Sequence, residues 1–168
     1  MVHYIEKKKM NAFFKTFGSG PKGLAISVAL FLLFYYLEDP LGFPDIFSDW
    51  KYVRLSVFAV LTIISIILII RSIRSLNPKL RGETLITSGI YKYFRHPLYA
   101  AFLSFFNFGL AVLLNNWIYL LWAILLHPVW HLLVREEEKM LEGLFPRDYE
   151  EYCRKTGRFF PRLITKKR

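Results

Sequence analysis

The sequence predicts an all-α, polytopic membrane protein with about four transmembrane helices and an amphipathic helical tail on the cytoplasmic face. Three observations predict it. Of the 168 residues, 54% are apolar and 18% aromatic, and mean hydropathy is positive, a composition too apolar for an ordinary soluble domain. The apolar residues gather into four blocks that lack Asp, Glu, Lys and Arg. The 23 Lys and Arg residues lie outside those blocks and are unevenly shared among the connections. The chain reads as one membrane domain over 1–168, with an N-terminal tail over 1–22. A single cysteine, Cys153, excludes an internal disulfide framework and a multi-thiolate zinc site; it is expected to be a small apolar residue of the tail.

The blocks cover 23–37, 55–70, 98–114 and 115–134. A helix rises about 1.5 Å per residue and the hydrocarbon slab is about 30 Å thick, so the last two suffice with helpful flanks. The first two are short, and Lys22 and Arg54 at their N-terminal ends extend them by snorkelling. No signal-peptide cleavage site follows the first block. Only Asn115 and Asn116 separate the third block from the rest of the fourth, which requires a tight antiparallel hairpin. The stretch 71–97 carries Asn77-Pro78, Gly82 and Ser88-Gly89 and is predicted to be irregular. In the tail, Leu141, Leu144, Phe145, Tyr149 and Tyr152 recur at helical spacing, predicting one or two amphipathic helices.

The net charge of +10 raises the question of nucleic acid, and the placement of the charges answers it. Five basic residues precede the first block, six lie over 71–95 and ten over 135–168. The connection between the first two blocks has Glu38, Asp39, Asp45 and Asp49 against Lys51 and Arg54. This is the positive-inside pattern of four spans with both termini cytoplasmic. The charge reports topology and attraction to anionic membrane lipids, not nucleic-acid binding.

Chemistry is expected where the 71–97 loop meets the tail. Pro97 suits a first helical turn, whose free amides bind anions, with Arg95 and His96 beside them; equally, Arg95, Tyr91, Tyr93 and Tyr99 suit an interfacial anchor and aromatic belt. His127, His131, Arg135, Glu138 and Glu142 follow one another at steps of four, four, three and four, a polar helical stripe suited to a substrate path. No metal site is expected of the histidine pair, because a third ligand is not apparent and Pro128 disturbs the helix between them. The run Glu136-Glu137-Glu138 is unfavourable near a helix C-terminus, so either the helix continues or cations offset it. Solvation with pairing to Arg135 and Lys139 is the simplest reading.

The run TLITSGIYKYFRHPLY, a helical hairpin, and then REEEKMLEGLFPRDYEEYCRKTGRFFP together resemble the isoprenylcysteine carboxyl methyltransferase family of integral membrane enzymes, over about 83–163. The resemblance implies methyl transfer from S-adenosylmethionine. It implies cofactor contacts from Glu83, Thr84, Leu85, Ile86 and Tyr91, from the HPxY residues His96, Pro97, Leu98 and Tyr99, and from Glu137. Aromatic faces and Glu137 suit the cofactor's cations, and helix-start amides with His96 suit its carboxylate. A carboxylate acceptor needs no general base, so catalysis rests on alignment and exclusion of water.

Arg95 is the candidate for steering an acidic acceptor. The family's substrate-carboxylate arginine falls at Leu133 here, so Arg135 is its possible replacement. The acceptor is expected to be a small lipophilic molecule from the bilayer, a prenylcysteine-like carboxylate among the options, passing His127, His131 and Glu138. Phospholipid N-methyltransferases share the layout. Sterol reductases share the RHP segment, which makes an NADPH-dependent reductase the alternative enzyme, and a non-catalytic membrane adaptor is the third reading. Gly18-Ser19-Gly20 has no preceding strand and is not a dinucleotide-binding fingerprint.

Overall fold

A computed structural model describes residues 18–47, 50–76 and 84–162. Among the described residues, four helices are long and apolar enough to cross a membrane: α1 (Gly20–Leu41), α2 (Lys51–Ser75), α3 (Pro97–Leu114) and α4 (Trp117–Leu144). A fifth, α5 (Pro146–Lys155), is short, strongly amphipathic and buries Tyr149 and Tyr152. The fold is all-α and polytopic, as the sequence predicts.

The helices extend past the uncharged blocks. α1 runs through Glu38, Asp39 and Pro40, and α2 starts at Lys51 and continues into Arg71 and Arg74. Of the two alternatives that the Glu136-Glu137-Glu138 run left open, the helix continues: α4 runs through Val134 to Leu144 with the three carboxylates inside it. Pro128 lies within α4 without ending it, as prolines in spanning helices do where neighbouring elements compensate the lost hydrogen bond.

α3 and α4 form the centre, with α2 packed along α3 and α1 along α4. The tight hairpin is present. Asn115 takes the left-handed conformation and the Asn116 side chain accepts from the Ile118 amide at 3.0 Å, capping α4. The same pair ties down the α1–α2 connection: Asn115 Oδ1 accepts from Phe47 N at 3.0 Å and Asn116 Nδ2 donates to Phe43 O at 2.9 Å.

Over Ala101–Phe106, α3 widens into a π-turn, and Ser65 of α2 donates to the Ala101 carbonyl at 3.0 Å, satisfying an acceptor in that irregular stretch. On the other side, α1 approaches α4 at Gly23, where an added Cβ would lie 2.5 Å from the Trp130 ring. Trp130 Nε1 donates to Ser27 Oγ at 2.9 Å, and Ser27 donates to Gly23 O at 2.7 Å. Outward residues of α1 and α2, such as Leu24, Leu32, Ile63 and Ile70, are exposed, as lipid-facing surfaces require.

Candidate functional site

The site lies at the end of the bundle where α3 begins and α4 runs out. Residues 94–96 lie parallel to 157–158: Arg95 N donates to Gly157 O at 2.8 Å and His96 N to Arg158 O at 3.1 Å. Tyr152 of α5 supports this pairing by donating to Tyr91 O at 2.6 Å and Phe94 O at 3.3 Å. Pro97 then opens α3 with its missing N–H at a position that needs none. The result is that the RHP segment, the last turns of α4 and the chain after α5 converge.

Glu138 is the centre of a cationic cage. Arg95 Nε is 3.0 Å from Oε1, His96 Nε2 3.2 Å from Oε1, and Arg158 donates from Nε to Oε1 at 3.0 Å and from Nη2 to Oε2. Arg158 Nη1 also lies 2.7 Å from His131 Nδ1; a guanidinium only donates, so Nδ1 accepts and the imidazole proton sits on Nε2. Arg95 Nη1 donates to Thr156 O at 2.6 Å. Burial opposes the charge of Arg95, but neighbouring Glu138 outweighs it and holds the guanidinium above its ordinary pKa.

Glu137, one residue away, is treated differently. Its Oε1 accepts from Tyr99 Oη at 2.9 Å and from the Ser19 amide, both neutral donors, and its Oε2 stands 3.7 Å from His96 Nδ1. Among the described residues no Arg or Lys pairs with it. His96 stacks on Tyr99 at 5.5 Å with 12° between the planes, and Tyr99 packs on Trp130 at 4.7 Å. A half-buried carboxylate without a strong cation thus sits beside a layer of aromatic faces.

Of the sequence candidates, Arg95, His96, Tyr99, His131, Glu137 and Glu138 meet in this network. Arg95 is committed to Glu138 and Thr156 rather than held out in open solvent. Arg135 is exposed, outside the network. His127 lies farther along α4 in an aromatic setting, 5.9 Å from Phe108 and stacked on Phe160 at 5.5 Å. Pro97 is buried and Leu98 half-buried at the start of α3.

Thr84 and Leu85 line a hollow of about 950 Å³ with Lys92, Tyr152 and Thr156, between the loop and α5. Ile86 and Tyr91 are half-buried along the same segment. Thr156 joins the two places, since it lines the hollow while its carbonyl binds Arg95. Glu83 lies outside the described residues. Sequence reasoning missed Arg158, whose signal was an arginine in the GRFFP stretch, and Ser19, which contributes a backbone amide that no side-chain motif announces.

The profile of the isoprenylcysteine carboxyl methyltransferase (ICMT) family matches residues 53–143, just over half of the chain. The chain belongs to this family. ICMT membership supports a membrane methyltransferase, and the matched stretch includes most of α2, the RHP segment, the hairpin and both Glu137 and Glu138. The chain is also similar to the cobalt-zinc-cadmium resistance protein CzcN of Cupriavidus metallidurans, 36% identical over 86 residues, which cover 49% of this chain and 38% of CzcN. The similarity to CzcN therefore spans well under half of that protein's length. Arg158 and Ser19 both fall outside the stretch that the ICMT profile matches.

Proposed function

We propose that this chain methylates a small lipophilic acceptor, a carboxylate in the leading reading, using S-adenosylmethionine bound at the Glu137 end of the bundle, which is the cytoplasmic end. One observation carries the reading: adjacent carboxylates have opposite fates. Glu138 is neutralised internally by Arg95 and Arg158, whereas Glu137 accepts hydrogen bonds from the neutral Ser19 amide and Tyr99 hydroxyl, has His96 Nδ1 no nearer than 3.7 Å, and among the described residues has no Arg or Lys partner, which leaves it open to a ligand cation. The donor set fits the cofactor. Glu137 suits its ammonium, the stacked His96 and Tyr99 rings suit its sulfonium, and the hollow lined by Thr84 and Leu85 supplies volume for its nucleoside part.

When bound, the cofactor supplies an electrophilic methyl group. The chain's own work is to orient and to exclude water. Glu137, fixed at Oε1 by Ser19 and Tyr99, anchors one end of the ligand; the Arg95–Glu138–Arg158 cage holds the RHP segment against α4 so that His96 and Tyr99 keep their stack. A carboxylate acceptor is already nucleophilic, so no residue has to remove a proton. His127, Phe108 and Phe160 form an apolar-aromatic flank on the bilayer side, suited to a greasy acceptor, with His131 and Glu138 between it and Glu137.

Calorimetric titration of the purified protein in detergent with S-adenosylhomocysteine tests this. Wild type binds, and Glu137→Ala and His96→Ala each weaken binding by about tenfold or more, the worth of one charge-assisted contact. Equal binding by both variants, or uptake of NADPH with S-adenosylhomocysteine ignored, overturns the reading.

A further inference from the structure

Glu137 is oriented by a segment more than a hundred residues before it. The Ser19 amide donates to Glu137 Oε1, and Ser19 Oγ donates to Leu133 O at 3.0 Å, so the turn leading into α1 is clamped to α4 at two points one helical turn apart. Ser19 is only 2% exposed. The residue before it, Gly18, is left-handed with φ +56°, and a Cβ built there would lie 2.6 Å from Glu137 Oε1 and 3.1 Å from Tyr99 Oη. Any side chain at position 18 therefore displaces the carboxylate or the turn. Because the Ser19 amide and the Tyr99 hydroxyl both occupy Oε1, the oxygen that remains to meet a ligand is Oε2, on the His96 side.

We infer that Gly18 is a positioning residue for ligand recognition: its lack of a side chain lets the Ser19 amide dock on Glu137 and fixes the carboxylate with Oε2 presented to the cofactor's ammonium. The inference rests on the proposed reading of Glu137 as the cofactor's cation-binding group. Gly20, two residues on, provides the control. A Cβ there would make only ordinary contact, 3.8 Å from the Tyr99 ring.

The test combines S-adenosylhomocysteine titration with thermal unfolding in detergent for wild type, Gly18→Ala, Gly20→Ala, Glu137→Ala and the Gly18→Ala/Glu137→Ala double variant. Gly18→Ala weakens binding about tenfold, while Gly20→Ala leaves it unchanged. The drop in melting temperature caused by Gly18→Ala shrinks when Glu137 is already truncated, because the collision with the carboxylate is gone and only the backbone strain and the 3.1 Å approach to Tyr99 Oη remain. Should wild type bind and Gly18→Ala bind equally well, this inference fails and the proposed function stands. An undiminished melting penalty in the double variant also overturns it, since Gly18 would then act elsewhere. If wild type takes up no S-adenosylhomocysteine, both fall together.

Discussion

Arg158 grips Glu138 as a fork, with Nε 3.0 Å from Oε1 and Nη2 on Oε2, while its third nitrogen reaches His131 Nδ1 at 2.7 Å. The residue thus ties the chain after α5 to two points of α4 about two helical turns apart. Arg158→Ala leaves Glu138 with Arg95 and His96, so the loss is of one bidentate pair rather than of all charge compensation. The expected cost is about 2 kcal/mol. Arg158→Lys recovers less than half, because an ammonium cannot address both carboxylate oxygens and His131 at once. Equilibrium unfolding in detergent measures both, and a full recovery by lysine would show that the fork geometry is irrelevant.

The two neighbouring carboxylates should respond to truncation in opposite order for stability and for binding. Glu138→Ala leaves Arg95 and Arg158 facing each other in a site where their side chains are only 13% and 21% exposed. Uncompensated charge of this kind costs roughly 3 kcal/mol or more. Glu137→Ala strands only the Ser19 amide and the Tyr99 hydroxyl, at about 1–2 kcal/mol. For S-adenosylhomocysteine affinity the ranking is conserved only if Glu138 were itself a ligand contact. The expected result is that Glu137→Gln loses affinity while retaining stability, whereas Glu138→Gln loses stability first.

The bilayer-spanning architecture was legible because four uncharged blocks and an uneven distribution of Lys and Arg each carry a one-dimensional signal. Asn115-Asn116 was legible as a turn for the same reason, although its side-chain grip on Phe43 and Phe47 was not. The end of α4 was readable only as two alternatives, a continuing helix or offsetting cations. Glu136-Glu137-Glu138 looks unfavourable near a helix terminus until Arg95 and Arg158 are known to arrive from 43 residues before and 20 residues after Glu138. Arg158 is one of ten cations in a basic tail, and only its place in the GRFFP stretch sets it apart from the others. Arg135 drew attention through its place in the polar stripe, yet it is one residue, about 100° of helix, beyond buried Val134, and that step turns it outward.

Tyr152 gives the tail a dependence on alkaline pH. Burial pushes its phenol above the ordinary value, with Tyr91 adding to the effect, and the neutral hydroxyl is what donates to Tyr91 O and Phe94 O. The sign follows from linkage: the folded state favours the protonated phenol, so this contribution is fully present below about pH 10 and is lost as pH rises above it. Other groups titrate in that range, so the informative quantity is the difference between wild type and Tyr152→Phe. Melting temperatures of the two should be separated by a constant amount from pH 7 to about 9.5, and the gap should narrow above pH 10. A gap that widens there would contradict the assignment.

Trp130 couples α1 to the site, because its indole donates to Ser27 at 2.9 Å on one side while its ring packs on Tyr99 at 4.7 Å on the other. The two contacts can be separated by mutation. Ser27→Ala removes the hydrogen bond but leaves the close approach, and bonds between membrane helices contribute about 0.6–1.7 kcal/mol, so a loss of about 1 kcal/mol is expected with ligand affinity retained. Gly23→Leu instead drives a side chain into the indole, where even a Cβ would lie 2.5 Å from the ring. The rigid ring must rotate or α1 must move away, at a cost of about 2 kcal/mol or more. Either response disturbs Tyr99, and through it Glu137 Oε1. Unfolding and S-adenosylhomocysteine titrations run on both variants should therefore show Ser27→Ala changing stability alone and Gly23→Leu changing both; intact affinity in Gly23→Leu would show that α1 packing and the carboxylate are independent.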